Sequence, residues 1–124
     1  MVASDDLSIL LAIPSAVYAR RVNIRCSLRV QQWACKRCRH LFLVGDHGDH
    51  MPHDARWADV MHMPSVREAV QAYMPARQNT DHSLTGTLTT FLKMAIFFQH
   101  AAAHATESII ARADDDTFVS LPAL

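Results

Sequence analysis

The chain has 124 residues, half of them apolar, and its 12 basic and 12 acidic residues cancel to no formal net charge. This length and composition suffice for one modest globular domain and exclude an intrinsically disordered chain. The balanced charge creates no overall field that would attract nucleic acid or an anionic membrane.

Neither a membrane span nor a signal peptide is predicted. No apolar run reaches the roughly 18 residues that a span requires. Asp5 and Asp6 precede the first apolar run, where a signal peptide would carry positive charge. The three cysteines are an odd number and do not indicate a disulfide-stabilised secreted domain. We therefore expect the chain as given to be soluble.

The first predicted elements are a buried strand and a helix. Residues 8–13 form a continuous apolar run that ends at Pro14, as in a strand buried on both faces of a parallel sheet. Ser15 is the candidate N-cap of a helix that extends to about Gln32. The residues at helical spacing within it are Val17, Arg21, Ile24 and Leu28.

Two more strands and a loop are predicted next. Residues 41–44 form a second buried apolar run, and residues 59–63, before Pro64, form a third and more alternating one. Residues 64–82 contain prolines and polar residues, so we expect a loop there, with one helical turn near residues 66–73.

A long helix and a fourth strand follow. From Ser83, apolar residues recur every three or four positions, which predicts a helix of about five or six turns. Residues 108–113 predict the fourth strand, and residues 121–124 begin a further element. Because strands and helices alternate, we predict an α/β fold with a mainly parallel sheet. The periodic residues of the helix are Leu84, Leu88, Phe91, Ala95, Phe98 and Ala102.

Asp114, Asp115 and Asp116 follow the fourth predicted strand and form the most informative candidate site. Two carboxylates about 4 Å apart repel by about 4 kcal/mol at an effective dielectric constant of about 20. A hard divalent cation turns that repulsion into attraction. Ligands of parallel sheets bind at the carboxyl ends of strands, where the amino end of the helix after Ser15 would also favour a phosphate. The pattern indicates metal and phosphate binding, and the alternative is a solvated acidic turn.

The sequence around the triplet resembles a known signature. Residues 111–124 are similar to the K-x-DDD-x-FV-N-L-P-x-L motif of the β1,3-galactosyltransferases, glycosyltransferase family 31. Residues 20–27 resemble the RRxAIRxT/S-W segment of that family, and residues 42–45 resemble its FLLG strand. The resemblance covers about residues 7–124.

This resemblance implies a GT-A type, Rossmann-like α/β fold, incomplete in this chain. It also implies an inverting hexosyltransferase that moves galactose or N-acetylglucosamine from a UDP-sugar to a hydroxyl of an acceptor glycan. Asp116 would be the direct Mn²⁺ (or Mg²⁺) ligand. Asp114 would be a second metal ligand that reaches the ribose or uridine side of the donor, and Asp115 would support both. Family members act on the lumenal side of the Golgi membrane.

Arg20, Arg21 and Arg25 are the candidates that would hold the nucleotide or pair with the acidic crevice. A planar guanidinium matches the oxygens of both phosphate and carboxylate groups. The alternative is a solvated or ion-paired helix face.

The resemblance further implies that two parts of the enzyme lie outside residues 1–124. The general base belongs to the acceptor-binding half beyond the triplet, and the membrane anchor precedes the catalytic domain. We therefore expect this chain to be the donor-nucleotide-binding half of a catalytic domain, and to be catalytically incompetent by itself.

Two competing site hypotheses use other residues. The basic segment Arg20–Arg39 could be a nucleic-acid interface or a small structural module, but it lacks interleaved aromatic residues apart from Trp33. A zinc site is the other hypothesis, but the spacing does not match that of zinc fingers, and ordinary thiols with a histidine-rich loop are the simpler interpretation. Its candidate ligands are Cys35, Cys38, His47, Asp49, His50 and His53.

Overall fold

The computed structural model describes residues 7–31, 37–47, 50–68 and 79–116, and within them strands and helices alternate as predicted. The elements are strand β1 (Ile9–Pro14), helix α1 (Tyr18–Gln31), strand β2 (Cys38–Asp46), strand β3 (Val60–Arg67), helix α2 (Asn79–His104) and strand β4 (Ile109–Arg112).

The four strands form one sheet in the order β3-β2-β1-β4, and each neighbouring pair is parallel. β1 lies inside this sheet, and its residues 10–13 are no more than 3% exposed. A strand that is buried on both faces needs a continuous apolar run, which explains the composition of β1. The sheet confirms the predicted α/β class and is consistent with an incomplete Rossmann-like fold.

Separate apolar cores lie on the two faces of the sheet. On one face, Phe97 of α2 packs in a cluster with Leu10 and Leu43. On the other face, Leu28 of α1 packs in a cluster with Phe42. Alternate residues of β1 and β2 therefore contribute to opposite cores, as the pleat of a strand requires.

The third strand is longer than the sequence indicated. β3 continues through Pro64 to Arg67, so the loop expected over residues 64–82 is wrong at residues 64–67, and the helical turn expected near residues 66–73 is wrong at residues 66 and 67. Residues 69–78 of that expectation lie outside the described residues, as do residues 121–124. Proline is tolerated in β3 because this strand is paired only with β2 in the described sheet.

The long helix begins four residues earlier than predicted. α2 spans Asn79–His104, whereas the sequence periodicity placed its start at Ser83. α2 has 26 residues. No helix in the described part of the chain combines the length and the apolarity needed to cross a membrane.

The strand order reverses direction between β1 and β4. From β1 the chain adds β2 and then β3 on one side, and after α2 it returns to place β4 on the other side of β1. In open α/β sheets, this reversal opens a crevice at the carboxyl ends of the two strands, and ligands bind there. The segments that follow Pro14 and Arg112 lie at this switch point.

Candidate functional site

Ser15 and Asp115 meet at the switch point because of the sheet register. Ala12 pairs with Arg112, so the residues three positions further along both strands extend to the same place. The Ser15 hydroxyl donates to Asp115 Oδ2 at 2.9 Å, and Ser15 is buried. Ser15 was predicted to cap α1, but its hydroxyl contacts Asp115 instead, and α1 begins only at Tyr18.

Arg20 is the predicted arginine that contacts the aspartate triplet. Its Nη1 donates to Asp115 Oδ1 at 3.2 Å. The Arg20 side chain is 54% exposed, whereas that of Asp115 is 12% exposed. Both carboxylate oxygens of Asp115 therefore have partners, one from the residue after β1 and one from α1, and this central aspartate is held in place by the fold.

The outer two aspartates present their side chains differently. Asp114 is 60% exposed and accepts a hydrogen bond from Arg112 at 3.0 Å, and Asp116 is also exposed. Among the described residues, no group of three His, Cys, Asp or Glu side chains is arranged to hold a metal ion. Two exposed carboxylates are nevertheless the oxygen donors that Mn²⁺ or Mg²⁺ takes from a protein when phosphates and water supply the remaining ligands. The donor set thus fits a cation that is shared with a diphosphate.

Arg21 lies beneath this surface rather than on it. It is 1% exposed, and its Nε and Nη2 donate to the two carboxylate oxygens of Asp54 at 2.8 and 2.7 Å. Its Nη1 is 3.4 Å from the Ser15 hydroxyl oxygen. Arg21 therefore connects the loop before β3 to the end of β1.

Arg25 occupies a similar structural position one turn further along α1. It donates to both oxygens of Asp59 at 2.7 and 2.9 Å and also pairs with Asp54 at 2.8 Å. Its guanidinium lies 4.4 Å from the centre of the Trp57 ring and 4.8 Å from that of Phe42, within the range of cation–π attraction. Arg25 fastens the segment before β3 to α1.

The carboxylates that accept from these arginines are stabilised in their charged form. Burial by itself would raise the pKa of Asp54, but hydrogen bonds and charge from Arg21 and Arg25 outweigh it, and the pKa is lowered. Burial would likewise raise the pKa of Asp59, but hydrogen bonds and charge from Arg25 and His40 outweigh it, and the pKa is lowered. His40 Nε2 lies 2.9 Å from Asp59 Oδ2. These ion pairs form one network beneath α1.

A buried lysine and glutamate adjoin the switch point, and the sequence analysis did not single them out. Lys93 of α2 is 2% exposed and forms an ion pair with Glu68, which follows β3 and is also buried. Lys93 Nζ also donates to the carbonyl oxygen of Ser15 at 3.3 Å. Burial lowers the pKa of Lys93, although the charge of Glu68 opposes that shift. The sequence signal that could have identified Lys93 is its position as a lone lysine within the apolar stretch 91–98.

The residues of the zinc hypothesis have other contacts. Cys38 is disulfide-bonded, so it is not the ordinary thiol that we expected. His47 Nε2 donates to the Ala16 carbonyl oxygen at 2.9 Å, and the His53 ring packs edge-on against Tyr18. His47 and His50 form an isolated antiparallel bridge. Two further candidate ligands, Cys35 and Asp49, lie outside the described residues.

Comparisons with known proteins add no assignment to this site. The sequence matches no protein-family model, and searches of curated proteins and of solved structures gave no match.

Proposed function

We propose that the crevice between β1 and β4 binds a nucleoside diphosphate together with a divalent cation. The observation that carries this proposal is the position of the exposed carboxylates of Asp114 and Asp116, directly after β4 at the topological switch point. The amino end of α1 adjoins the same crevice, and its first turn contains no acidic residue. Helix N–H groups and the helix dipole favour a phosphate at such a place.

The wider proposal is a UDP-sugar-dependent hexosyltransferase of which this chain supplies the donor-binding part. It rests on the resemblance of residues 111–124 and 20–27 to family 31 glycosyltransferases, together with the position of the triplet in the fold. The reaction is inverting transfer of galactose or N-acetylglucosamine to a hydroxyl of an acceptor glycan. The same resemblance supports a place on the lumenal side of the Golgi membrane.

Each residue of the site has a separate task in this scheme. Asp114 and Asp116 hold the cation. Asp115 fixes the orientation of the triplet, because Ser15 and Arg20 bind its two carboxylate oxygens. When bound, the cation neutralises the diphosphate and stabilises it as a leaving group. Arg20, which is half exposed, orients a phosphate oxygen at the edge of the crevice. Arg21 and Arg25 contribute to the scaffold and do not contact the nucleotide.

Thermal unfolding with UDP and Mn²⁺ tests the donor site without requiring turnover. Ligand at about 100 times its Kd should stabilise the chain by about 2.7 kcal/mol, which raises Tm by about 10 °C in a domain of this size. The double variant Asp114→Asn/Asp116→Asn should abolish the rise, as should EDTA. Arg29→Gln, an exposed charge change elsewhere on α1, is the matched control and should respond as the wild type does. No rise in wild-type Tm with UDP and Mn²⁺ would refute the proposal.

The nucleic-acid alternative depends on the same arginines being available to phosphates. Arg21 and Arg25 are instead bound to carboxylates, and Arg39 donates to Glu107 at 2.6 Å. Because Arg21 and Arg25 are held in ion pairs, the segment offers fewer cations to a nucleic-acid backbone than its composition suggests. The thermal experiment separates the two ideas, because a nucleic-acid module would not respond to UDP with Mn²⁺.

A further inference from the structure

The ion pair between Lys93 and Glu68 is unusual because it lies in the sheet–helix interface. Lys93 and Glu68 are only 2% and 6% exposed, and charged residues are rarely buried to this degree. Well-packed apolar residues in place of a buried ion pair are often as stabilising or more so. Stability alone is therefore a weak reason for this pair to be here.

The contacts of the pair join three strand ends. Lys93 donates to the Ser15 carbonyl oxygen after β1, at 3.3 Å. Glu68 Oε1 accepts from the backbone N–H of Gly45 in β2, at 2.9 Å. The backbone N–H of Glu68 in turn donates to the Asp46 carbonyl oxygen at 2.8 Å. Through α2, the pair therefore fixes the carboxyl edge of β1, β2 and β3 together.

Gly45 shows how closely Glu68 approaches the backbone. A Cβ atom at this position would lie 2.8 Å from Glu68 Oε1 and 2.3 Å from the Val66 carbonyl oxygen. Real Cβ atoms do not approach other atoms so closely, so a side chain at position 45 would displace both the Val66 backbone and the carboxylate that accepts from the Gly45 N–H. The Glu68 carboxylate therefore packs directly against the backbone at the carboxyl end of β2.

Ser15 connects this pair to the proposed donor site. Its carbonyl oxygen accepts from Lys93, while its hydroxyl donates to Asp115. The carbonyl contact fixes the backbone of the Pro14–Ser15 turn, and that turn sets the direction of the hydroxyl. A change at Lys93 thus reaches Asp115 through a single intervening residue.

We propose that Lys93 and Glu68 are positioning residues for the donor site, which hold Ser15 so that Asp115 keeps the aspartate triplet in its binding orientation. The effect of this role on ligand binding rests on the proposed function, but the ordering of Ser15 can be measured without a ligand.

The test compares two variants that both alter the buried interface between α2 and the sheet. Lys93→Met/Glu68→Met replaces the pair by apolar side chains and leaves no unpaired charge, so it should fold. Phe97→Leu is the matched control, because Phe97 is fully buried four residues along the same helix, in the apolar core. Urea unfolding gives the stability of each variant, calorimetry gives the Kd for UDP with Mn²⁺, and amide hydrogen exchange reports on individual N–H groups.

The double variant should bind UDP with Mn²⁺ about tenfold more weakly, as expected for a lost charge-assisted hydrogen bond. Phe97→Leu should bind like the wild type even if it is the less stable variant. The Ser15 amide, which donates to the Leu43 carbonyl oxygen at 3.0 Å, should exchange faster in the double variant only.

The outcomes separate the two proposals. Wild-type affinity for UDP in the double variant would overturn the positioning role. If the wild type itself does not bind UDP, the proposed function fails, and the hydrogen-exchange data then test whether Lys93 and Glu68 position Ser15. Faster exchange at Ser15 in the double variant alone supports the positioning of Ser15, whereas unchanged exchange refutes it.

Discussion

At the scale of single residues, two adjacent arginines of α1 have opposite environments. Arg20 is half exposed and contacts Asp115 at the edge of the crevice, whereas Arg21 is buried against Asp54. Both were given the same candidate role because both can bind phosphate, although Arg21 shares the helical spacing of Val17, Ile24 and Leu28. The sequence could not identify the partner of Arg21, which lies 33 residues away along the chain. Burial, rather than residue type, decides which arginine can serve a ligand.

Loss of the Asp54 carboxylate should be among the most damaging single changes. Asp54→Asn leaves the Arg21 guanidinium, 1% exposed, without its countercharge, and breaking a buried pair in this way costs about 3–5 kcal/mol. Arg112→Gln removes the ion pair between Arg112 and Asp114, whose side chains are 47% and 60% exposed, and such surface pairs contribute about 0–1 kcal/mol. Urea unfolding measures both. Equal losses in the two variants would contradict this assignment of Arg21 and Asp54 to the scaffold.

At the scale of elements, how well the sequence predicted a boundary depends on how completely the element is buried. β1 is covered on both faces, so its apolar run gave its limits almost correctly, with Pro14 as its last residue. β3 has a neighbour on one side only in the described sheet, and its exposed Pro64 and Ser65 concealed the continuation to Arg67. The apolar pattern of an element reflects its contacts with a core, so the pattern is weak where an element makes few such contacts.

α2 illustrates the same limit within one helix. The periodicity that predicted it included Phe91 and Phe98, which are 70% and 52% exposed, while Phe97, which is fully buried, lay outside the chosen stripe. The spacing identified a helix but not the face that packs on the sheet. Which face is buried is determined by the strands, above all by Leu10 and Leu43 in the cluster around Phe97.

Two phenylalanines of α2 therefore provide a controlled comparison. Phe97→Ala removes a ring that is fully buried in the core and should lower the free energy of unfolding by about 3–5 kcal/mol. Phe91→Ala makes the same chemical change at a side chain that is 70% exposed and should alter it by about 0.5 kcal/mol or less. Denaturant titration of both variants measures the difference. A large loss for Phe91→Ala would show that its ring packs against another part of the protein.

At the scale of the whole molecule, the separation of basic and acidic segments along the sequence is resolved by ion pairs between distant elements. Arg25 of α1 binds Asp59 before β3, and Arg39 of β2 binds Glu107 before β4. The basic residues between positions 20 and 39 and the acidic residues from position 46 onward are separate in the sequence, which could not predict their pairings. Those depend on the strand order, in which β4 returns to the side of β1 opposite β2.

These pairs should make stability depend on pH in the acid range. Hydrogen bonds from Arg25 and His40 lower the pKa of Asp59 below its ordinary value of 3.8, despite burial. The Arg39 hydrogen bond likewise lowers the pKa of Glu107 below 4.5. A carboxylate whose pKa is lower in the folded state stabilises the fold above its unfolded pKa and loses that contribution as pH falls through the folded value. The free energy of unfolding should therefore decline below about pH 4.

Asp59→Asn tests this linkage directly, because it removes one titrating group while Asp54 remains as a partner for Arg25. Urea unfolding between about pH 2.5 and 7 should give a shallower decline with falling pH than in the wild type. Phe97→Leu, which lowers stability without touching a carboxylate, should keep the wild-type slope at a lower overall free energy. An unchanged slope in Asp59→Asn would mean that the acid dependence arises from other groups, and that Asp59 does not couple folding to protonation.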